Sequence, residues 1–181
     1  MNRSIVRWQI AGFLFTSILG TFLHFLFDLS GQSITAALFS AVNESIWEHM
    51  KLLYFPMLAF AALEGRFLKP LPAGFWCVKL MGILTGLVLI PVLYYTYTGI
   101  LGKSADWLNV TIFFIAAAVS FRLETGLFKS GKTCPIPAWL AIALLLSVGA
   151  AFVILTFTPP QIPLFRDPVT GTYGYQGLPI Q

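Results

Sequence analysis

The sequence predicts an all-α protein of the membrane, a polytopic helical bundle with about five spans. Of its 181 residues, 57% are hydrophobic and only 10% are charged, whereas a soluble domain carries about a quarter charged residues. The mean hydropathy is +0.82, and the apolar residues recur in blocks along the whole chain. A bundle of this size leaves no room for a separate soluble module, so any function lies in the helices, the loops or the tail.

Each predicted span is close to the ~20 residues that cross the hydrocarbon as a helix. The spans cover residues 8–27, 44–63, 77–97, 105–121 and 138–157, giving a bundle over 1–158 and a Pro- and Gly-rich tail over 159–181. The first apolar run is longer than the core of a signal peptide and lacks an Ala-x-Ala cleavage site, which favours a retained helix. In the third span, Gly82 and Gly86 form a small-xxx-small surface that favours close approach of another helix.

The basic residues predict the orientation of the chain. With the N-terminus in the cytoplasm, the cytoplasmic side holds Arg3, Arg7, Arg66, Lys69, Lys79, Arg122, Lys129 and Lys132, and the outer side holds Lys51, Lys103 and Arg166. This positive-inside bias places the tail outside. The net charge of +4 is then a set of topology signals, and no nucleic-acid partner is expected. Cys77 and Cys134 fall at cytoplasmic ends, where thiols stay reduced, so a structural disulfide is not expected.

The second span departs from a plain hydrophobic helix because its first half is polar. From Asn43 it reads Asn-Glu-Ser-Ile-Trp-Glu-His-Met-Lys, and the apolar run that follows, 52–63, is too short to cross alone. Three arrangements fit this pattern. The polar turns lie inside the membrane boundary, or the helix begins earlier, within 34–42. In the third, a short re-entrant helix over 34–42 precedes a new helix capped by Ser45, with Glu48 at the capping-box spacing.

These charges have to face the protein interior or the water interface, since a charged side chain at mid-bilayer costs roughly 2.5 to 3.5 kcal/mol on insertion scales. The first helix supplies a matching polar stripe, with His24 and Asp28 toward its outer end. Both histidines of the chain therefore fall in one group, on two consecutive helices. The candidate binding residues are His24, Asp28, Asn43, Glu44, Ser45, Glu48, His49 and Arg166.

Two imidazoles and two or three carboxylates form a ligand set for a divalent transition metal such as zinc or manganese, with an open position for water. The predicted metal ligands are His24, Glu44, Glu48 and His49. A proton or cation relay would use the same residues. A structural interpretation instead pairs Glu44 and Glu48 with Lys51 at an interfacial helix start. No spacing here is as diagnostic as HExxH, so the three interpretations stay open.

The tail contains turn signals at Asp-Pro, Thr-Gly and Tyr-Gly steps between positions 167 and 174. If it is ordered, it folds back over the polar residues, with Arg166 as a counter-charge to Glu44 or Glu48. Disorder is the competing interpretation.

The stretch Asn43 to Pro56, NESIWEHMKLLYFP, resembles a family of small bacterial, largely clostridial-type, polytopic membrane proteins labelled only as a domain of unknown function. The end of the first helix, from His24-Phe25 to Ser30-Gly31, and the tail segment from Asp167 to Gly174 belong to the same resemblance. Its most distinctive motif is Asn-Glu-Ser-x-Trp-Glu-His. The resemblance implies a multi-pass protein of a bacterial plasma membrane and names no activity, cofactor or catalytic residue.

The predicted function is the binding or translocation of a small cation or polar solute in the outer half of the bundle. Glu44 and Glu48 would be the charge partners, and His24 or His49 the titrating group. One alternative is an intramembrane metal-dependent hydrolase. Another is a structural or assembly subunit of a membrane complex. The lipid bilayer is the expected partner, and the sequence leaves the oligomeric state and the existence of an enzymatic activity open.

Overall fold

The computed structural model describes residues 2–131 and 134–176. The regular secondary structure in this part of the chain is helical, and it contains no strand. The helices are α1 (Asn2–Leu29), α2 (Ile34–Ala37), α3 (Ile46–Phe67), α4 (Phe75–Leu101), α5 (Asp106–Ser130) and α6 (Ala138–Phe157), followed by a 3-10 turn over Pro163–Phe165. The predicted all-α class is confirmed. Lys132 and residues 177–181 of the predicted tail lie outside the described residues.

Four of the described helices, α1, α4, α5 and α6, are long and apolar enough to cross a membrane. On α1 the large apolar side chains left exposed recur at three- and four-residue steps: Ile10, Leu14, Ile18, Phe22, Phe25 and Leu29. An exposed apolar stripe of this length suits contact with lipid. With 22 residues, α3 is about 33 Å long, similar to the thickness of the hydrocarbon, but it is not among these four helices. The count of five spans stays a prediction, because α3 carries buried charges.

Helix α3 lies at the centre of the bundle and contacts α1, α4, α5 and α6. Helices α1, α4 and α6 run antiparallel to α3, so Gln9 of α1 meets Glu64 near the end of α3, while Thr156 at the end of α6 meets Glu48 near its start. Helix α5 runs parallel to α3, since Lys79 at the start of α4 contacts both Glu64 and Glu124. Helices α1, α4 and α6 have their C-terminal ends at the same end of the bundle, which we call the site end. We call the opposite end of the bundle the far end. The predicted topology places the site end in the outer half of the bundle, on the side of the membrane away from the cytoplasm.

The start of α3 follows the third arrangement that the sequence allows. Ser45 is the N-cap, and its hydroxyl accepts a hydrogen bond from the backbone N–H of Glu48 at 3.4 Å. The preceding helix, α2, is shorter than the predicted 34–42 and ends at Ala37. Its position relative to the membrane stays a prediction.

Glycines set the distance between helices at two interfaces. A Cβ built on Gly86 or Gly82 of α4 would collide with Ser120 or Glu124 of α5, so the predicted small-residue surface is a packing surface. Gly20 of α1 faces the backbone carbonyl of Leu52 in α3, and a Cβ there would lie 2.6 Å from that oxygen.

The carbonyl of Leu52 is available to α1 because Pro56 lies inside α3. Proline has no N–H, so the bond that residue 56 would donate to the carbonyl four residues earlier is missing. Gly20 allows α1 to lie directly against this gap in the helix. The contact fixes the position of α1 relative to α3 next to the polar residues of the site end.

Cys77 and Cys134 form a disulfide, with their Cα atoms 6.0 Å apart. The expectation that they stay unpaired is wrong. Helices α4 and α5 are antiparallel neighbours, so the first turn of α4 and the segment that follows α5 meet at the far end, a proximity that sequence spacing does not reveal. A disulfide at this end is at odds with a reducing compartment there, and the orientation of the chain stays a prediction.

We expect Gly20→Ala to lower the stability of the bundle by about 1–3 kcal/mol, because the added methyl meets a backbone atom that cannot rotate away. The control is Gly99→Ala in α4, where a Cβ would meet nothing within 4 Å. That change should leave stability unaltered or raise it by about 0.5–1 kcal/mol. Thermal unfolding of both variants in detergent, followed by circular dichroism, measures the difference. Equal unfolding midpoints would contradict the close-contact argument.

Candidate metal centre

Three side chains converge at the site end of the bundle: His24 near the end of α1, Glu44 in the turn before α3, and His49 in the first turn of α3. One ligand atom from each lies within 4.8 Å of the other two. The Nε2 of His49 is 3.4 Å from Oε2 of Glu44, and the two imidazole rings are 5.3 Å apart between centroids. Ligand atoms around a tetrahedral zinc are roughly 3.3 Å apart, so a small inward shift closes the set. We call these three residues the metal trio.

The turn that carries Glu44 is held by hydrogen bonds from its neighbours. The side-chain oxygen of Asn43 accepts from the N–H of Ser45 at 2.9 Å, and its amide nitrogen donates to the carbonyl of Gly174 in the tail at 3.1 Å. Asn43 and Ser45 therefore position the site, and their side chains are not part of the metal trio. The hydrogen bond from His49 lowers the pKa of the Glu44 carboxyl, which keeps it an anionic ligand.

Both histidines offer a nitrogen to the space between them. Nδ1 of His49 lies 2.9 Å from the carbonyl oxygen of Ser45. A carbonyl only accepts, so Nδ1 carries a hydrogen. Nε2 either carries a second hydrogen, which it donates to Glu44, or loses that hydrogen and is free to bind a metal. Fixing the tautomer through the second nitrogen is the usual outer-shell arrangement of metal-binding histidines. Nδ1 of His24 is buried and has no hydrogen-bond partner in the described part of the chain.

A cavity of about 540 Å³ lies beside the metal trio. It opens between α1 and α5, where Phe113 and Phe114 form an apolar wall. Asp106 and Asn109, at the start of α5, add polar groups to the same cavity. A smaller cavity between α3, α4 and α5 shares Glu44 and His49. The metal trio is thus accessible from a space that is part polar and part apolar.

Glu48, which the sequence groups with the ligands, is engaged elsewhere. Its carboxylate lies 2.7 Å from Nζ of Lys51, accepts from the hydroxyl of Thr156 at 2.9 Å and accepts from the N–H of Val42 at 3.2 Å. Lys51 also donates to the carbonyl of Ala37 at 2.9 Å. Both charged side chains are at most 1% exposed. They form a closed one-to-one ion pair, which matches the structural interpretation for Glu48.

The tail is ordered as far as it is described. Asp167 is buried and accepts from the N–H of Val169 at 2.8 Å and from the hydroxyl of Thr170 at 2.7 Å. Arg166 and Tyr173 form a β-bridge between the two sides of this loop.

Pro168 and Val169 of the tail line the cavity beside the metal trio. Arg166 is exposed and, within the described residues, pairs with neither Glu44 nor Glu48. The predicted contact of Arg166 with Glu44 or Glu48 is therefore absent among the described residues. Successive side chains of an extended segment point to opposite faces, so the inward Asp167 turns Arg166 outward. Asp28 is exposed as well and lies outside the metal trio.

Two groups of polar residues that the structure brings together are not among the sites identified from the sequence. Asp106 and Asn109 join the site from α5, and a second buried group, Glu64, Lys79 and Glu124, lies at the far end. The signal for the second group is present, since ionisable residues in or beside membrane spans mark functional or paired positions. Lys79 and Glu124 carry that signal, but Lys79 also fits the positive-inside pattern.

The chain belongs to DUF6512, a family of unknown function that matches residues 1–175. This confirms the resemblance to an uncharacterised family, while the bacterial and clostridial origin stays a prediction. No curated protein and no solved structure matches the chain.

The ion pair of Glu48 with Lys51 supplies a test of its structural role. We expect Lys51→Met to destabilise the protein by about 3–5 kcal/mol, since it leaves the Glu48 carboxylate buried without its cation. The double variant Glu48→Gln, Lys51→Met removes the pair as a unit and should recover most of that loss. Denaturation of both variants in detergent measures the coupling. A double variant no more stable than Lys51→Met would contradict the pairing.

Proposed function

We propose that this DUF6512 protein is a membrane protein that binds a divalent transition-metal ion, zinc in the first place, at the site end of its bundle. The observation that carries the proposal is the convergence of the metal trio, His24, Glu44 and His49, within 4.8 Å. Two imidazoles and one carboxylate with a fourth position open is a ligand set of catalytic and exchangeable zinc sites. The sequence leaves the small cation unspecified, and we propose that it is this metal ion.

The donor atoms of the metal trio are partly prepared for a cation. His24 has a buried ring nitrogen without a partner, and a metal would supply the missing interaction. The pair of His49 with Glu44 is held by one proton, and a metal ion can replace that proton while keeping both ligands in place. Glu44 offsets one of the two positive charges, and Asp106 lies on the wall of the same cavity.

Metal binding is favoured over a proton relay because Glu48, the second carboxylate that a relay would need, is bound to other residues. A relay at the site end would use Glu44 and Glu48 as a pair that shares protons. Glu48 has Lys51, Thr156 and the N–H of Val42 as partners, so it is not available to Glu44. Among the described residues, Glu44 is the one carboxylate grouped with the two histidines, which suits a metal ligand.

We expect the purified protein to bind one zinc ion, and His24→Ala, His49→Ala and Glu44→Gln each to weaken binding by more than about 100-fold. Loss of outer-shell partners alone costs ~10–100-fold in affinity, so loss of a direct ligand costs more. The matched control is Asp28→Asn, which removes the same charge as Glu44→Gln from an exposed position at the end of α1. Isothermal titration in detergent with a zinc buffer gives the affinities.

Two results of that titration would contradict the proposal. One is absence of zinc binding by the wild-type protein with its secondary structure intact. The other is an equal loss in Asp28→Asn and Glu44→Gln, which would mean that general surface charge, rather than the metal trio, attracts the ion.

The second candidate function is an intramembrane metal-dependent hydrolase. The cavity of about 540 Å³ beside the metal trio has room for a substrate, and its apolar wall of Phe113 and Phe114 suits an acyl chain. A zinc ion in the metal trio would lower the pKa of a bound water. Asp106 is the carboxylate on the cavity wall that is available to accept a proton from that water.

We expect zinc-loaded protein in mixed micelles to hydrolyse medium-chain p-nitrophenyl esters or phosphodiesters, with no turnover after zinc is removed. Asp106→Asn should lower kcat by about 100-fold or more, the usual contribution of a general base, with zinc affinity unchanged. Asp28→Asn is again the control and should keep full activity. If removing zinc changes the rate for none of these substrates, the hydrolase function is contradicted, while the proposal of metal binding is unaffected.

A further inference from the structure

A second cluster of polar side chains lies at the far end, within the bundle and separate from the metal trio. Nζ of Lys79 is 2.5 Å from Oε2 of Glu64 and 2.5 Å from Oε2 of Glu124. The amide nitrogen of Gln9 donates to Oε1 of Glu64 at 2.9 Å. Helices α1, α3, α4 and α5 each contribute one residue, and all four residues are buried. We call Gln9, Glu64, Lys79 and Glu124 the far-end cluster.

The charges of the far-end cluster do not balance. It contains two carboxylates and one ammonium group, and within the described residues no further basic side chain is paired with either carboxylate. Gln9, the residue that α1 contributes, is neutral. With both carboxylates ionised, the cluster would hold one uncompensated negative charge.

That charge would lie in an apolar environment. The rings of Phe75, Phe121 and Phe128 surround the ammonium group, with centroids 5.5 to 5.7 Å from Nζ. Taking an unpaired ion out of water costs several kcal/mol even after relaxation. A proton or another small cation bound to the carboxylates removes this cost.

Unpartnered acceptor atoms in the cluster show where a cation can bind. Within the described residues, Oε1 of Glu124 and Oε1 of Gln9 are buried without a hydrogen-bond partner. The carboxylate of Glu124 lies directly against Gly82, so closely that a Cβ there would collide with Oε1. This contact leaves little space for a metal ion with its several oxygen ligands, whereas a proton needs none.

We propose that the far-end cluster is a proton-binding site in which Glu64 and Glu124 together hold one exchangeable proton opposite Lys79. The added O–H turns one carboxylate from an acceptor into a donor, and the cluster becomes neutral. Glu64 and His49 are both on α3, roughly 22 Å apart along the helix axis at 1.5 Å per residue. The same central helix therefore carries an ion site toward each of its ends, and the proton site does not depend on metal binding.

Infrared spectroscopy of the full chain in lipid vesicles at neutral pH tests this proposal, since a protonated carboxyl has a C=O stretching band that an ionised carboxylate lacks. We expect one such band in the wild-type protein, shifted in heavy water because the proton exchanges. Glu124→Gln and Glu64→Gln should each abolish it, since the remaining carboxylate then pairs with Lys79 alone. Glutamine has the shape of the protonated acid, so these variants keep the packing.

Two further variants make the experiment specific. Lys79→Met removes the only cation of the cluster, so both carboxyls become neutral and the band should grow about twofold. The control is the double variant Glu48→Gln, Lys51→Met, which removes a balanced ion pair near the site end and should leave the band unchanged.

Three outcomes would overturn the proposal. The first is that the wild-type protein has no protonated-carboxyl band. The second is that the band persists at full intensity in both Glu64→Gln and Glu124→Gln. The third is that the band appears only when sodium is removed from the buffer, which would mean that a sodium ion, and not a proton, balances the cluster. Circular dichroism of each variant establishes that the helices are intact before the spectra are compared.

Discussion

The cost of charge in an apolar environment is the constraint on which the rest of this structure depends. Glu48 and Lys51 near the start of α3 and Glu64 near its end are all at most 1% exposed. In a bilayer such a helix is stable only if other helices separate it from lipid and supply partners for its charges. Four apolar helices contact α3, and they leave large hydrophobic side chains exposed on their outer faces, which is compatible with contact with lipid. The central position of α3 follows from its charges.

The three charged groups around α3 differ in how completely they are satisfied, and that difference separates structure from function. The pair of Glu48 with Lys51 is balanced, and its polar atoms have partners. A closed pair of this kind has nothing to offer a ligand. The metal trio has an unpartnered nitrogen on His24, and the far-end cluster has an unpartnered oxygen on Glu124. Atoms of this kind are expensive when buried, and the ions proposed for these two sites would satisfy them.

Local patterns in the sequence predict the helices, because hydrophobicity acts over a few residues, and the start of α3 at Ser45 is one of the three arrangements that they allow. They do not predict the partners of Glu44 and Glu48. These two residues would share one face if the helix ran through both positions, but α3 begins at Ile46. Glu44 therefore lies in the turn and meets His49, while Glu48 lies on the inner face and meets Lys51. One helix boundary divides the predicted ligand set.

Pairings between distant parts of the chain are beyond the reach of local patterns for the same reason. Lys79 and Glu124 are 45 residues apart, and Cys77 and Cys134 are 57 apart. Both pairings follow from the antiparallel contact of α4 with α5, which hydropathy does not contain. A lysine at the edge of an apolar run can equally well mark the cytoplasmic side or pair with a buried carboxylate. Only the contact between the helices distinguishes the two roles.

The tail supports the metal trio through the backbone of Gly174 rather than through the charged side chain of Arg166. Gly174 accepts a hydrogen bond from Asn43, and its backbone passes so close to the carbonyl of Thr156 that a Cβ on it would lie 2.5 Å away. The next residue, Tyr175, donates its N–H to that same carbonyl at 2.8 Å. The tail is thereby fixed to the end of α6, and through Asn43 it holds the turn in which Glu44 lies. The family match, which extends to residue 175, includes this contact, so the tail belongs to the folded unit that forms the site.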